Sequence, residues 1–110
     1  MRMTTDKHVE IRSRDYWVKI VGMLQQNWAL VDPAPEADCC TVFFLHDRSG
    51  VFDRMEFDSV QQAEFALRCN GFQRFAESGE IRRHLRVPEP PFFETTHPNG
   101  PIYSSGRFWR

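Results

Sequence analysis

From Ser13 onward, apolar positions recur three and four residues apart: Trp17, Ile20, Val21, Leu24 and Trp28 fall on one face of a helix. Ser13 is the candidate N-cap, and Asp15 suits the positive end of the helix dipole. The spacing predicts a helix over about residues 14–26, ending near Asn27, with Trp17 and Trp28 as core anchors. Trp28 to Val31 then predicts a short strand, stopped by Asp32-Pro33-Ala34-Pro35. Ahead of the helix, His8 to Arg12 alternates with period two, as a short strand does, and the polar residues 1–7 are expected to form a flexible lead.

Further along, Thr41 to His46 and Val51 to Phe57 flank Asp47-Arg48-Ser49-Gly50, which predicts a β-hairpin. A type I turn with Gly50 in the left-handed position, and a bulge there, pairs Leu45 with Asp53 and Phe43 with Met55. One face then carries Thr41, Phe43, Leu45, Val51, Asp53, Met55 and Phe57; the other carries Val42, Phe44, His46, Phe52, Arg54 and Glu56. The alternative, a two-residue loop, shifts the register by one and exchanges the faces of one strand.

Asp58-Ser59 opens a second helix, with Ser59 and Gln62 spaced as a capping box. Val60, Ala63, Ala66 and Leu67 form its buried stripe, widened by Phe65 and Cys69. Asn70-Gly71 reads as a stop, followed by another helical turn through Phe72, Phe75 and Ala76 to Ser78-Gly79. Ile81 to Val87 alternates imperfectly and predicts a last edge strand guarded by arginines. Residues 88–110 hold five of the seven prolines together with Phe92, Phe93, Tyr103, Phe108 and Trp109, which predicts an extended tail that packs on the domain or docks on a partner.

These elements predict a small two-layer α+β domain over residues 8–87: a three- or four-stranded, mainly antiparallel sheet packed on two helices, in the order (β)αβββα(β), with the Pro-rich aromatic tail after it. The ferredoxin-like order βαββαβ is the nearest alternative. Composition agrees, since a chain of 110 residues that is 41% apolar has material for one core without metal or disulfides. Fourteen basic against fifteen acidic residues leave a net charge of -1, which argues against nucleic acid and membrane surfaces. The N-terminus lacks an apolar signal region, and the longest apolar stretch, Ile20 to Leu24, is five residues, so neither secretion nor a membrane span is expected. Cys39, Cys40 and Cys69 are odd in number and lack zinc spacing, which suits a reducing cytoplasm.

Candidate chemistry is sparse. His8, His46, His84 and His97 are scattered, and only Cys40 and His46 fall on one side of a strand, so no metal or cofactor is expected. None of the cysteines has the flanking pattern of a nucleophile, and Asp53, Glu56 and Asp58 cluster near one strand end but on different faces. Catalysis is therefore not expected. Gly50 to Phe57, with Asp58-Ser59, Ala63-Glu64, Ala66-Leu67 and Asn70-Gly71, loosely resembles the third strand and second helix of an RNA recognition motif over about 22 residues. The resemblance implies base stacking on exposed strand aromatics; Phe52 fits one such position, whereas Asp53 and Met55 depart from the pattern.

The patch expected on the sheet face away from the helices is Phe44, His46, Phe52 and Arg54, to which the tail adds Phe92, Phe93 and Trp109 as binding residues. The resulting expectation is a non-catalytic adaptor that binds a protein or peptide through this face or the tail. The alternative is a small-molecule enzyme or sensor with a pocket between tail and sheet, using His46, Asp53, Arg54 or Cys40; RNA binding is a lesser alternative. Self-association through an uncovered sheet face would give a twofold homodimer.

Overall fold

The computed structural model describes residues 8–22 and 25–95. In chain order the elements are β1 (His8–Val9), β2 (Tyr16–Gly22), β3 (Gln25–Pro33), β4 (Cys40–Leu45), β5 (Gly50–Phe57), α1 (Val60–Cys69), β6 (Gln73–Arg74), a 3-10 turn (Phe75–Glu77), α2 (Gly79–His84) and β7 (Phe92–Glu94). Among the described residues the strands form one mixed sheet in the order β1-β7-β5-β4-β3-β2-β6, in which only the β5–β7 pair is parallel. The fold is a small α+β domain, but its sheet has seven strands among the described residues rather than three or four. No helix among the described residues is long and apolar enough to cross a membrane.

The first correction concerns residues 14–26. Of these, Tyr16–Gly22 form β2 and Gln25 and Gln26 begin β3, paired antiparallel from Tyr16 with Leu30 to Gly22 with Gln25. Tyr16, Trp17 and Val18 are all buried, so both sides of this strand are covered and the alternation that betrays a half-exposed strand is erased. The spacing of three and four is incidental: Trp17 and Trp28 are fully buried core residues, but on opposite faces, while Ile20 is 56% exposed and Leu24 lies outside the described residues. Aromatic and β-branched residues over Tyr16 to Val21 suit the extended chain. The expected strands near His8 and Trp28 are present as the two-residue β1 and the middle of β3.

Each sheet face has its own core. On the first, Val9, Ile11, Tyr16, Val18, Trp28, Leu30, Phe43, Leu45, Val51 and Phe92 pack under Phe75, Ile81, Leu85 and Val87. On the second, Trp17, Ala29, Val31, Cys40, Val42 and Phe44 pack under Ala63, Leu67 and Phe72. The two helices therefore lie on opposite faces, giving three layers instead of two. The expected edge strand over Ile81 to Val87 is instead α2 and its exit, because Ile81 and Leu85 are one helical turn apart and both pack on the first face.

The hairpin β4–β5 forms as expected, with a different register: Phe43 pairs with Arg54, Phe44 with Asp53 and Val42 with Met55. The left-handed residue is Ser49 (φ 71°), not Gly50, and the irregularity falls at Phe52, between the Leu45–Val51 and Phe44–Asp53 pairs. One residue of slip places Asp53 beside Phe44 and Arg54 beside Phe43.

The second helix starts and ends where its residues indicate. Ser59 Oγ accepts the Gln62 N–H at 3.1 Å. At the other end the Gly71 N–H donates to Arg68 at 3.2 Å and the Phe72 N–H to Leu67 at 3.0 Å, with Gly71 at φ 90°. This double closure needs a left-handed residue, and the buried Leu67 and Phe72 supply its apolar contact. Phe65, 70% exposed, and Cys69, also exposed, do not widen the buried stripe. The chain after Phe72 is not a helical turn but β6, which pairs with Trp17 and Val18.

Arg74 in β6 ties these parts together. Its guanidinium donates to both Asp15 oxygens at 2.9 Å and to Glu64 at 2.9 Å, lies 3.5 Å from Glu77, and sits 5.3 Å from the Trp17 ring centroid. Arg68 lies 4.9 Å from the same centroid. On the first face, the Tyr16 hydroxyl donates to the Pro88 carbonyl at 2.6 Å and so holds the connection between α2 and β7.

Arg74→Lys keeps the charge but loses the planar fork; a stability loss of about 1–2 kcal/mol in urea denaturation is expected, the ion pairs being partly screened. Burial pushes the Tyr16 phenol above its ordinary pKa, Arg14 opposing and Glu89 assisting. Because the folded state favours the neutral phenol, its contribution is intact below about pH 10 and is lost as pH rises through the folded-state value. Tyr16→Phe is expected to flatten this alkaline loss in denaturation curves recorded from pH 8 to 11.5.

Candidate functional site

Alternation along β3 places Ala29 and Val31 on the second face, and Asn27 with them. Asn27 pairs with Lys19 of β2, whose aliphatic chain lies against Gly71 at the end of α1. His46 stands one residue beyond the Trp28–Leu45 pair, at the end of the same row. The neighbouring row on this face runs Trp17, Ala29, Phe44 and Asp53. Phe72, which follows α1, packs edge-on to Phe44 with ring centroids 6.1 Å apart.

Asn27 is 1% exposed, and among the described residues neither atom of its carboxamide has a hydrogen-bond partner. Leaving a buried polar group unpaired costs about 1–3 kcal/mol, so such a group in a native core calls for an explanation. The indole nitrogens of Trp17 and Trp28 are also unpaired, but each is a single donor on a large apolar ring. Asn27 combines donor and acceptor in one plane.

The corner beside this row is tightly built. His46 Nδ1 accepts from the backbone N–H of Arg48 at 3.0 Å and of Gly50 at 3.4 Å, which assigns the ring hydrogen to Nε2. Its ring meets Phe93 edge-on at 6.2 Å. A Cβ on Gly50 would collide with the His46 ring and the Thr95 methyl, so this glycine serves close approach and not a positive φ. Ser49 Oγ donates to the Glu89 carbonyl, the Phe93 N–H donates to Ser49 at 3.3 Å, and the Thr95 N–H donates to Val51 at 2.9 Å. Pairing of β7 with β5 stops there, and the Asp53 carboxylate accepts the Arg54 N–H at 2.9 Å.

Phe44, His46 and Phe52 therefore belong to the face that carries α1, not to a face free of helices. Arg54 is on the other side, 5.2 Å from the Phe43 ring centroid and 3.3 Å from Glu94. Phe92 is buried in the first-face core, Phe93 stands against His46, and Trp109 lies outside the described residues. The carboxylates considered for catalysis are dispersed: Glu56 accepts from Thr41 Oγ1 across the hairpin at 3.1 Å, whereas Asp53 caps Arg54. Cys40 donates to the Ser59 carbonyl at 3.6 Å, and burial raises its thiol pKa, away from the nucleophilic thiolate.

Asp53 and Arg54 line a groove of about 230 Å³ with Phe52, Glu94 and Thr95, smaller than the roughly 300 Å³ at which ligand cavities begin. An RNA recognition motif presents its aromatics on an open sheet face; here both faces carry a helix. Among the described residues, no three His, Cys, Asp or Glu side chains converge as metal ligands do. Asn27 escaped the sequence reading because a helix ending near it offers no face; once β3 is a strand, its parity with Ala29 and Val31 is enough to find it.

Gly50→Ala is expected to destabilise the protein by about 1–3 kcal/mol in urea denaturation, since His46 is pinned by two amides and cannot retreat freely. No protein-family model matches the chain, and no curated protein or solved structure is detectably similar to it.

Proposed function

We propose that the protein is a non-catalytic binding module that holds an extended polypeptide segment against the α1 side of its sheet, in the row of Lys19, Asn27 and His46. The unpaired, buried carboxamide of Asn27 carries this reading. A carboxamide matches a peptide group, accepting its N–H and donating to its C=O, without regard to the side chains of the segment. Phe93, standing against the His46 ring, supplies apolar surface nearby for those side chains. The low exposure of Asn27 means that the bound segment is enclosed rather than laid on an open surface.

The raised pKa of Cys40 and the separation of Asp53 from Glu56 support binding over catalysis. Peptides selected from a random library against the full chain are expected to bind and to lose about tenfold or more in affinity with Asn27→Leu, corresponding to one lost buried hydrogen-bonded pair. Selected peptides that bind Asn27→Leu as well as the wild type would sink the reading.

A further inference from the structure

Lys19 stands directly opposite Asn27 on the second face, and among the described residues its ammonium makes no ion pair and no hydrogen bond. Its side chain runs along the end of α1, with Cδ, Cε and Nζ all within 3.8 Å of where a Cβ on Gly71 would stand. A lysine at the C-terminal end of a helix ordinarily serves the last carbonyls. Here they are taken: Ala66 O accepts from Asn70 Nδ2 at 2.8 Å, Leu67 O from the Phe72 N–H at 3.0 Å and Arg68 O from the Gly71 N–H at 3.2 Å. Arg74 likewise occupies Asp15, Glu64 and Glu77. Among the described residues Lys19 is thus a cation without an anion, set beside a buried carboxamide without a partner.

We infer, resting on the reading of Asn27 as a receptor for a peptide group, that the bound segment is the C-terminal end of a polypeptide: its terminal carboxylate pairs with the Lys19 ammonium and its last peptide group with the Asn27 carboxamide. The spacing suits the two tasks. Side chains directly opposite on neighbouring strands start about 5 Å apart. The Cα of a terminal residue lies about 3.8 Å from that of the residue before it, so a carboxylate and the adjoining peptide group reach adjacent anchors. Any chain end offers this pair of groups whatever its side chains, whereas the distance of an Asp or Glu carboxylate from the backbone changes with its rotamer. The row also has a direction. Its cation stands at the α1 end and its aromatic contact, Phe93 edge-on to His46 at 6.2 Å, at the other, so the terminus lies by Gly71 and the residues before it run towards β7.

The wild-type protein alone gives the first test. Peptides selected from a random library displayed with free C-termini are synthesised both as the free acid and as the C-terminal amide, and their dissociation constants for the full chain are measured by isothermal titration calorimetry. Amidation is expected to weaken binding about tenfold, and added salt to narrow the gap between the two forms. Lys19→Met keeps an aliphatic stem on Gly71 and removes the charge. It is expected to bind acid and amide alike, with the affinity that the wild type has for the amide, while Lys19→Arg restores part of the preference for the acid. Asn27→Leu is expected to weaken both forms.

Equal affinity of the wild type for acid and amide overturns the inference, as does a preference for the acid that persists undiminished in Lys19→Met, or a selected set that shares an internal Asp or Glu and is indifferent to amidation. In each of these cases a loss of binding with Asn27→Leu leaves the proposed function standing. If the preference for the acid requires Lys19 while Asn27→Leu binds as the wild type does, the proposed function falls, and the pairing of the last peptide group with it. A library of free chain ends that yields no binder overturns both.

Discussion

One guanidinium holds the three layers in register. Arg74 reaches Asp15 at the entry to β2, Glu64 on α1 and Glu77 in the 3-10 turn, and it does so beside the ring of Trp17. Its planar fork satisfies both Asp15 oxygens, so the strand that carries it is fixed in angle as well as position. Without that fixation the two-residue β6 would be a poor strand, and the path from the second face to the first, which passes through β6, would be loose. The neighbouring acids push the Arg74 pKa further up, so the fork stays charged under all conditions in which the protein is folded.

The first face depends on this crossing. After Arg74 the chain goes over to cover Trp28, Leu30 and Leu45 with Phe75, Ile81 and Leu85. Tyr16 then secures the return by its bond to Pro88, so two adjacent residues of β2, Tyr16 and Trp17, anchor the covers of opposite faces. A sheet covered on both faces hides its polar rows as effectively as its apolar ones. Asn27 sits in one of these rows, opposite Lys19, whose aliphatic chain lies against Gly71 at the end of α1.

How legible each part was in the amino-acid sequence follows from how local its determinants are. The β4–β5 hairpin and α1 are specified by neighbours in sequence: turn residues Asp47 to Gly50, the Ser59 cap and the Asn70-Gly71 stop. The β2–β3 pair is specified by burial on two sides, which leaves no period to read and imitates a helical stripe through Trp17, Ile20 and Val21. The register of the hairpin follows from Ser49 taking the left-handed turn position, while Gly50 lies in β5 where a side chain would meet His46 and Thr95; Thr95 is forty-five residues further along. Asn27 was missed for the first of these reasons, and Arg54 was placed on the wrong face for the second.

The strand order also sets a sequence in time. β2 to β5 form a meander of consecutive strands, able to assemble as each emerges, whereas among the described residues β1 pairs only with β7, and β7 joins it to β5. His8 and Val9, made long before their partners, therefore have no place in the sheet until Phe92 and Phe93 have followed them. During synthesis the outer edge of β5 is bare, and the first face lacks Val9, Ile11 and Phe92 until β7 has been made. Non-local closure of this kind is the slow part of folding. The nascent protein thus passes through a state with a finished meander and an open flank, the form in which a chaperone or a second nascent chain would encounter it.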